Sequence, residues 1–446
     1  MKKALLGILA AAAVLAGGCF FGWRWYDTNV DRSGWIEEGN TYYYQDFHGQ
    51  RVTGWQELDG KTYYFDQDNA MAVSWQEIDG NRYYFGSNGV LRTGWQDIGG
   101  SRCYFGSDGI SRTGWQNIEG ERYYFDPSGV METGWTEIDG TRYYFGNSGT
   151  LQSGWLELDS GVYYLSDDGI PVTGETKLET EGGEKEYFFD QEGKRYSGWI
   201  DFEDGRRYYG EDGTRAYGWQ EIDGRRFCLG EDGVLHTGWW EEGEYRYYLQ
   251  EDGSAAVGET EIDGRTYYFT PKGIQVILVN ATHPIPDDYT LDLVTFVKWF
   301  QVQRICEEPL RQMLNDCQAA GFKYSFNNSF RSMEQQEEIL KLRTEEHMHD
   351  FGLTYEQARE KALTTVAVPG TSEHQMGLAV DIEGEDAHAW LGEHCWEYGF
   401  ILRYPEGKSE ITGITTEPWH FRYVGKEVSM DMKDTGLCLE EYLGAA

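Results

Sequence analysis

Aromatic and glycine positions recur with a fixed spacing over more than half of the chain. A Gly-Trp dipeptide, or a close variant, returns every 20 residues, with one longer interval near the middle. Two further units keep the glycine but carry Glu175 or Glu259 in place of tryptophan. A short period repeated this often indicates a stacked array rather than a compact globule. The repeated tryptophans are Trp35, Trp55, Trp75, Trp95, Trp115, Trp135, Trp155, Trp199, Trp219 and Trp239.

Each unit contains the pattern of two short strands and two turns. In the unit around Trp75, WQEI alternates between polar and apolar residues and RYYF is rich in strand-forming aromatics. Gly80 supplies the positive φ of a hairpin turn between them, and Gly89 turns the chain into the next unit. One hairpin cannot bury its aromatic side chains alone. We therefore predict a β-hairpin solenoid over residues 34–277, with grooves lined by Trp and Tyr.

The repeat units resemble the cell-wall-binding repeats of choline-binding proteins and of glucan-binding domains. The shared pattern is Gly-Trp, a hairpin Gly, Tyr-Tyr-Phe and a turn Gly. In the choline-binding versions a second Trp before Tyr-Tyr-Phe completes an aromatic cage for a quaternary ammonium group. Here arginine or threonine holds that place, at Arg82, Arg102, Arg122, Arg142, Arg207, Arg226, Arg246, Thr62 and Thr266.

A cation beside the cage opposes a cationic ligand, so the sequence favours a wall carbohydrate over a choline-bearing polymer as the ligand of the repeats. Most of the aromatic side chains are expected to pack between units, with ligand sites in a few grooves. The candidate wall-ligand residues are Trp55, Trp75, Trp95, Trp115, Trp135, Trp155, Trp199, Trp219 and Trp239.

After Gly273 the period ends, and residues 278–446 have a different pattern. We expect a helix from Pro309 to Ala320, a short strand ending at Arg331, a charged helix over residues 334–349, and a further helix whose capping box begins at Thr354. The mixture of strands and helices predicts an α+β domain. The chain is therefore expected to be multidomain, with the hairpin array first.

The stretch TSEHQMGLAVDI, residues 371–382, combines a candidate strand with two metal-ligating residue types. Leu378, Val380 and Ile382 alternate, so they face one side of the strand and Asp381 faces the other. His374, in the loop before the strand, can approach Asp381 from the same side. An imidazole and a carboxylate held in this way suit Zn²⁺.

The remaining parts of a zinc site occur in TEPWHFRYVG near the C-terminus. His420 can supply a third ligand, and Glu417, three residues earlier, can act as a base without binding the metal. A catalytic zinc needs three protein ligands, an open position and a nearby base. From the residues alone, the alternative is that these are polar core and surface positions.

Residues 278–446 resemble the VanY-type D-alanyl-D-alanine carboxypeptidases. The resemblance lies in FRS at 330–332, SEH at 372–374 with Gly377 and Asp381, GFILRYPEGK and EPWHFRYVG, in that order. It implies a zinc peptidase that removes the terminal D-alanine of peptidoglycan stem peptides. LD-carboxypeptidases and L-alanyl-D-glutamate endopeptidases share this fold and stay open as alternatives, as does a catalytically silent wall-binding protein.

The resemblance also assigns roles to individual residues. His374, Asp381 and His420 would bind zinc, and Glu417 would be the general base. Arg331, assisted by Ser372, would pair with the terminal carboxylate of the peptide, since a guanidinium offers two parallel donors. Gln335 is a further candidate for the substrate site.

Charge and the N-terminus bear on partners and location. The net charge of -38, from 76 acidic and 38 basic residues, excludes a basic nucleic-acid-binding face. Residues 1–23 have a basic start followed by an apolar run, which predicts an export signal or a membrane anchor; Cys19 is a candidate lipidation site. We therefore expect an extracellular, wall-associated or membrane-anchored protein. Cys395 and Cys438 are a candidate disulfide pair.

Overall fold

The protein is described here by a computed structural model of residues 31–446. These residues form two compact units, which are described separately. The first contains the described residues up to Leu178 together with Tyr187–Tyr196, and the second contains Glu179–Glu186 together with Ser197–Ala446. The predicted export segment 1–23 and Cys19 lie outside the described residues. Within residues 31–446, no helix has the length and apolar character needed to cross a membrane.

The repeats form β-hairpins, and consecutive strands pair in two-stranded sheets. In order the strands are β1 (Gly34–Glu38), β2 (Thr41–Gln45), β3 (Gly54–Leu58), β4 (Lys61–Phe65), β5 (Ser74–Ile78), β6 (Asn81–Phe85), β7 (Gly94–Ile98), β8 (Ser101–Phe105), β9 (Gly114–Ile118), β10 (Glu121–Phe125), β11 (Gly134–Ile138), β12 (Thr141–Phe145), β13 (Gly154–Leu158), β14 (Gly161–Leu165), β15 (Gly174–Thr180), β16 (Gly183–Phe189), β17 (Gly198–Phe202), β18 (Gly205–Tyr209), β19 (Gly218–Ile222), β20 (Arg225–Leu229), β21 (Gly238–Glu242), β22 (Tyr245–Leu249), β23 (Gly258–Ile262) and β24 (Arg265–Phe269).

The hairpin turns have the geometry that the sequence predicts. Between β5 and β6, Asp79 and Gly80 have φ values of 54° and 76°. Positive φ at both central residues defines a type I′ turn, whose twist matches that of the two strands. Gly80 reaches this region without strain, and Asp is among the few other residues that tolerate it.

Aromatic side chains of successive hairpins pack on one another in the first unit. The ring of Trp55 contacts Tyr64 of its own hairpin at 5.1 Å between centroids, and Tyr83 and Phe85 of the next hairpin at 4.9 and 5.9 Å. Phe85 is fully buried. Each hairpin therefore completes the interior of its neighbour, which confirms the predicted hairpin solenoid.

The C-terminal region has the predicted α+β composition. Its strands are β25 (Leu293–Val297), β26 (Phe300–Gln303), β27 (Ser325–Asn328), β28 (Ala379–Glu383), β29 (Phe400–Tyr404) and β30 (Glu417–Tyr423). Its helices are α1 (Arg304–Ala319), α2 (Met333–Phe351), α3 (Tyr355–Ala362), α4 (Glu385–His394), α5 (Ser409–Thr412), α6 (Lys426–Met432) and α7 (Leu439–Tyr442), with 3₁₀ turns at Glu373–Met376 and Cys395–Tyr398. The central sheet has the order β27-β28-β30-β29.

The predicted start of the first helix at Pro309 was wrong. Helix α1 begins five residues earlier, at Arg304, and contains Pro309. Proline lacks the N–H that would bond to the carbonyl of Ile305. Ile305 is exposed, so solvent can satisfy that carbonyl group. The capping box at Thr354 was predicted correctly.

Two apolar cores support the C-terminal region. The main core packs α1 and α4 against the central sheet and includes Leu310, Val380 and Phe421. A second core, entirely within the second unit, joins side chains of the last repeats to α6 and α7. Its members include Tyr247, Tyr268, Ile274, Val276, Val428, Met432, Leu439 and Leu443. The last repeats and the C-terminal region thus share an interior, although the sequence pattern changes near residue 278.

The described cysteines are all free and buried, among them Cys395 and Cys438. The candidate disulfide between these two residues does not form. Burial raises the pKa of the Cys395 thiol to about 12 and that of Cys438 to about 11. Both cysteines therefore serve as small apolar side chains of the interior.

Candidate metal centre and active site

Two neighbouring strands and one loop bring the predicted ligands together. Strands β28 and β30 pair in antiparallel register with Asp381 opposite His420. Val380 and Ile382 belong to the main apolar core, so Asp381 lies on the other side of β28, as the alternation predicted. His374 lies in the 3₁₀ turn just before β28.

The three side chains are buried and their ligating atoms lie within 4.8 Å of one another. His374 Nε2 is 3.3 Å from Asp381 Oδ2, and His420 Nδ1 is 3.2 Å from Asp381 Oδ1. Within residues 31–446, Asp381 Oδ1 is a buried oxygen without a hydrogen-bond partner. Two imidazole nitrogens and a carboxylate oxygen are a donor set that fits Zn²⁺.

Each histidine has an outer partner that orients its ring. His374 Nδ1 is 2.8 Å from the carbonyl oxygen of Ser329, so Nδ1–H donates and Nε2 faces Asp381. His420 Nε2 lies 3.7 Å from Oε2 of Glu373, which leaves Nδ1 facing Asp381. A hydrogen-bonded carbonyl fixes the tautomer of a metal-binding histidine, as Ser329 does for His374. Glu373 faces His420 as a buried charge at a distance longer than a hydrogen bond.

Glu373 belongs to a buried network of charges behind His420. Its carboxylate accepts hydrogen bonds from Arg403 Nε at 2.8 Å, and Arg422 NH1 lies at 3.0 Å. Arg403 also donates to Glu440 of α7 at 2.6 and 2.9 Å. Asn280, just after the repeats, donates to the same Glu440. These residues come from five separate stretches of the chain, and the two arginine side chains are almost fully buried.

The surroundings set different protonation states for the site residues. Burial lowers the pKa of His374 to about 4, and the positive charge of Arg331 acts in the same direction. Burial raises the pKa of Glu417 to about 7. Burial opposes the charged form of His420, but its contacts with Asp381 and Glu373 raise its pKa to about 9. A carboxyl group whose pKa lies near neutrality can both take up and release a proton.

Glu417 and Arg331 border the three ligands. Glu417 Oε2 is 3.5 Å from His420 Nδ1. Arg331 NH2 is 3.2 Å from Asp381 Oδ2, and NH1 donates to Gln336 at 3.1 Å. In the described part of the chain, Arg331 Nε is buried and has no hydrogen-bond partner. Asp381 and Gln336 thus hold the guanidinium of Arg331, while its Nε–H is buried and unused.

The structure places Ser372 next to this group and leaves Gln335 outside it. Ser372 is buried and directly precedes the turn that carries His374. Gln335 accepts a hydrogen bond from the backbone of Ser332 and completes the capping box of α2. The next residue, Gln336, is the fully buried partner of Arg331. Gln336, not Gln335, contacts Arg331, and a role for Gln335 at the substrate site stays a prediction.

The nine candidate tryptophans of the repeats fall into two groups. Trp55 and Trp155 are exposed to 39% and 42%. The other seven carry an arginine guanidinium over the ring, namely Trp75, Trp95, Trp115, Trp135, Trp199, Trp219 and Trp239. Over Trp199 this residue is Arg206, not Arg207 as the sequence alignment of units suggested. The strand register explains this, since Arg206 faces Asp201, two residues after Trp199.

Known proteins resemble both parts of the chain. The model of the VanY family, described as D-alanyl-D-alanine carboxypeptidase, matches residues 300–426. A model described as choline-binding repeat matches residues 92–131 and 112–153. A model described as putative cell wall binding repeat matches residues 53–68 and 73–91. A D-alanyl-D-alanine carboxypeptidase of Enterococcus faecalis is 41% identical over 175 residues, covering 38% of this chain and 65% of that protein.

The putative carboxypeptidase YodJ of Bacillus subtilis is 34% identical over 195 residues, covering 39% of this chain and 67% of its own length. The chain belongs to the VanY family of D-alanyl-D-alanine carboxypeptidases. The chain spans about two thirds of these two relatives. Among solved structures, a VanY D,D-pentapeptidase variant in complex with Zn(II) has 41% sequence identity to this chain. The match covers 37% of this chain and 97% of the pentapeptidase chain, with a TM-score of 0.37.

Sequence reasoning did not find the network that supports the VanY-family site. Glu373 stands between Ser372 and His374, which were both predicted as site residues. Arg403 interrupts the apolar sequence FILRY of β29. A charged residue among core-facing strand positions is a signal, because burying an unpaired charge is costly. The sequence does not show that Glu440, 37 residues after Arg403, is its partner.

Proposed function

We propose that the protein is a zinc-dependent D-alanyl-D-alanine carboxypeptidase that trims peptidoglycan stem peptides. The observation that carries this proposal is the grouping of His374, Asp381 and His420 with Glu417 in one buried site. Two His and one Asp are a typical ligand set of a catalytic zinc with an open position. Zn²⁺ bound there would polarise the peptide carbonyl and lower the pKa of water.

The chain's own residues would supply the proton transfers and the binding of the substrate. With its pKa near 7, Glu417 can accept a proton from the attacking water and then give it to the leaving amine. Arg331 would bind the terminal carboxylate through its free Nε donor, with Ser372 nearby and Gln336 holding the guanidinium in place. A requirement for a free C-terminus makes the enzyme a carboxypeptidase.

The repeats would hold the enzyme at the cell wall, outside the cytoplasm. The matches to cell-wall-binding and choline-binding repeats support this role, with a wall carbohydrate or a choline-bearing polymer as the partner. In this proposal residues 34–277 bind the wall, residues 278–446 carry the site, and residues 1–23 direct export or anchor the chain in the membrane.

The catalytic proposal is tested with Glu417→Ala. The zinc-loaded wild type should release D-alanine from a pentapeptide stem. The variant should lose roughly two to four orders of magnitude in kcat, the usual contribution of general acid-base catalysis, and still bind one zinc ion. Full activity of the variant would contradict the assigned role.

Mass spectrometry of the products separates the alternatives. Loss of one D-alanine from pentapeptide stems, with tetrapeptides left intact, is expected for a DD-carboxypeptidase. Cleavage of tetrapeptides would show an LD-carboxypeptidase, and cleavage after L-alanine would show an endopeptidase. Wall binding with neither zinc uptake nor hydrolysis would show a silent wall-binding protein.

A further inference from the structure

A repeated arginine covers the tryptophan rings of seven repeat units. It stands seven positions after the tryptophan, on the second strand of the same hairpin, and its guanidinium lies over the indole ring. Such a contact is an attractive cation-π interaction. The distances from guanidinium carbon to ring centroid are 4.0 Å for Arg82 on Trp75, 4.8 Å for Arg102 on Trp95, 4.5 Å for Arg122 on Trp115, 3.9 Å for Arg142 on Trp135, 4.8 Å for Arg206 on Trp199, 4.5 Å for Arg226 on Trp219 and 3.9 Å for Arg246 on Trp239.

Further contacts hold several of these guanidinium groups in place. Arg142 NH1 donates to the backbone carbonyl of Glu192 at 3.3 Å, within the first unit. In the second unit, Arg206 Nε is 3.3 Å from Asp201 and Arg246 Nε is 3.5 Å from Glu241. The acidic residue is the cross-strand neighbour of the arginine. An aromatic ring and a carboxylate thus bind the same cation from two sides.

Two hairpins of the first compact unit have the tryptophan ring and the acidic residue but carry neither arginine nor an aromatic residue in the arginine's place. Opposite Glu57 stands Thr62, and opposite Glu157 stands Val162. Alternation along a strand puts each glutamate on the same face as the tryptophan two residues before it. Trp55 and Trp155 are correspondingly more exposed than the covered tryptophans. Trp35, exposed to 44%, also lacks the arginine, since Tyr42 holds that place opposite Glu37.

The aromatic surroundings of Trp55 and Trp155 match those of the covered tryptophans. Trp155 packs edge-on against Tyr164 and Tyr187, both at 5.1 Å, and Trp55 has the equivalent pair of tyrosines. Trp95, which carries Arg102, packs against Tyr104 and Tyr123 at 5.0 Å in the same way. These grooves therefore differ chiefly in whether the chain supplies its own cation.

We propose that the seven arginines are built-in ligands that close their grooves, and that the repeats accept an external organic cation only at Trp35, Trp55 and Trp155. The external group would be an ammonium or guanidinium group of a wall polymer, lying on the indole ring beside Glu37, Glu57 or Glu157. This inference rests on the proposed wall-binding role of the repeats. It assigns the arginine position as the determinant of which units bind.

The test counts binding sites on the full chain by equilibrium titration, with choline as the probe and indole fluorescence as the second readout. The wild type should bind about three equivalents, at Trp35, Trp55 and Trp155. Thr62→Arg and Val162→Arg should each remove one site, and Arg102→Thr should add one. Thr266→Arg is the matched control, because its hairpin carries Glu259 in place of tryptophan. The number of choline-binding sites should stay the same in this variant.

Two results would overturn the inference. One is a site number that does not follow the arginines, for example about nine sites in the wild type or no new site in Arg102→Thr. The other is absence of choline binding by a folded chain. Sedimentation of the full chain with purified walls is measured in parallel. Wall binding without choline binding would refute this inference and leave the proposed wall-binding role intact, whereas loss of both would refute that role too.

Discussion

The buried carboxylate of Glu373 should control the metal affinity of the site through His420. Glu373→Gln removes a charge that faces Arg403 and Arg422, whose side chains are 0% and 2% exposed. Removal of one partner from a buried ion pair costs about 3–5 kcal/mol. Loss of an outer-shell partner of a metal ligand lowers metal affinity by about 10- to 100-fold. Both effects are expected in this variant.

Glu440→Gln is the matched control, since it disturbs the same network without touching a ligand. Glu440 accepts two hydrogen bonds from Arg403, so its replacement should destabilise the protein by a similar amount. His420 keeps its contact with Glu373 at 3.7 Å, so zinc affinity should stay close to that of the wild type. The two variants therefore separate loss of stability from loss of metal binding.

Zinc affinity is measured by competition with a chromogenic chelator on metal-free protein, and stability by denaturant unfolding of the same samples. Glu373→Gln should lower both the zinc affinity and the free energy of unfolding. Glu440→Gln should lower only the free energy of unfolding. Equal zinc affinity of Glu373→Gln and the wild type would refute the role of Glu373 in orienting His420. Equal losses of zinc affinity in both variants would show that a general loosening of the fold is responsible.

Two further predictions concern pH and the limits of the folded region. Zinc requires the neutral form of His420, whose pKa is raised to about 9 in the metal-free protein. Zinc affinity should therefore rise about tenfold per pH unit from near neutrality and level off above about pH 9, which chelator competition at several pH values would reveal; a flat profile would contradict the protonated histidine. A fragment of residues 278–446 should bind a hydrophobic dye and unfold without cooperativity, because it loses Tyr247 and Tyr268 from the second core. A fragment of residues 179–446 should fold, and equal behaviour of the two fragments would refute the importance of the shared core.

Local rules predicted a large part of the fold. The positive φ at Gly80 and the capping box at Thr354 depend on neighbours in sequence, and both were predicted from the residues. The same capping rule identifies Ser332 and Gln335 as a helix start. The helix start before Pro309 was missed because proline is tolerated where solvent can satisfy the free carbonyl.

The site could be predicted only in part, because its parts are distant in sequence. Alternation in LAVDI placed Asp381 on the polar side of its strand, but the register that sets it opposite His420 follows from pairing across the sheet. The partners of Arg403 lie 30 and 37 residues away, and no local pattern connects them. Burial of an arginine in a strand indicates that a partner exists without identifying it.

The short helix α7 has a consequence for the order in which the parts of the chain can fold. Leu439 and Leu443 complete the second core, and Glu440 completes the charge network behind His420. A chain that emerges with its N-terminus first can form the hairpins of the first unit as they appear. The aromatic residues around Tyr247 stay partly uncovered until some 190 residues later, when α7 arrives. The second core and the charge network behind His420 are therefore completed only when the last residues of the chain are present.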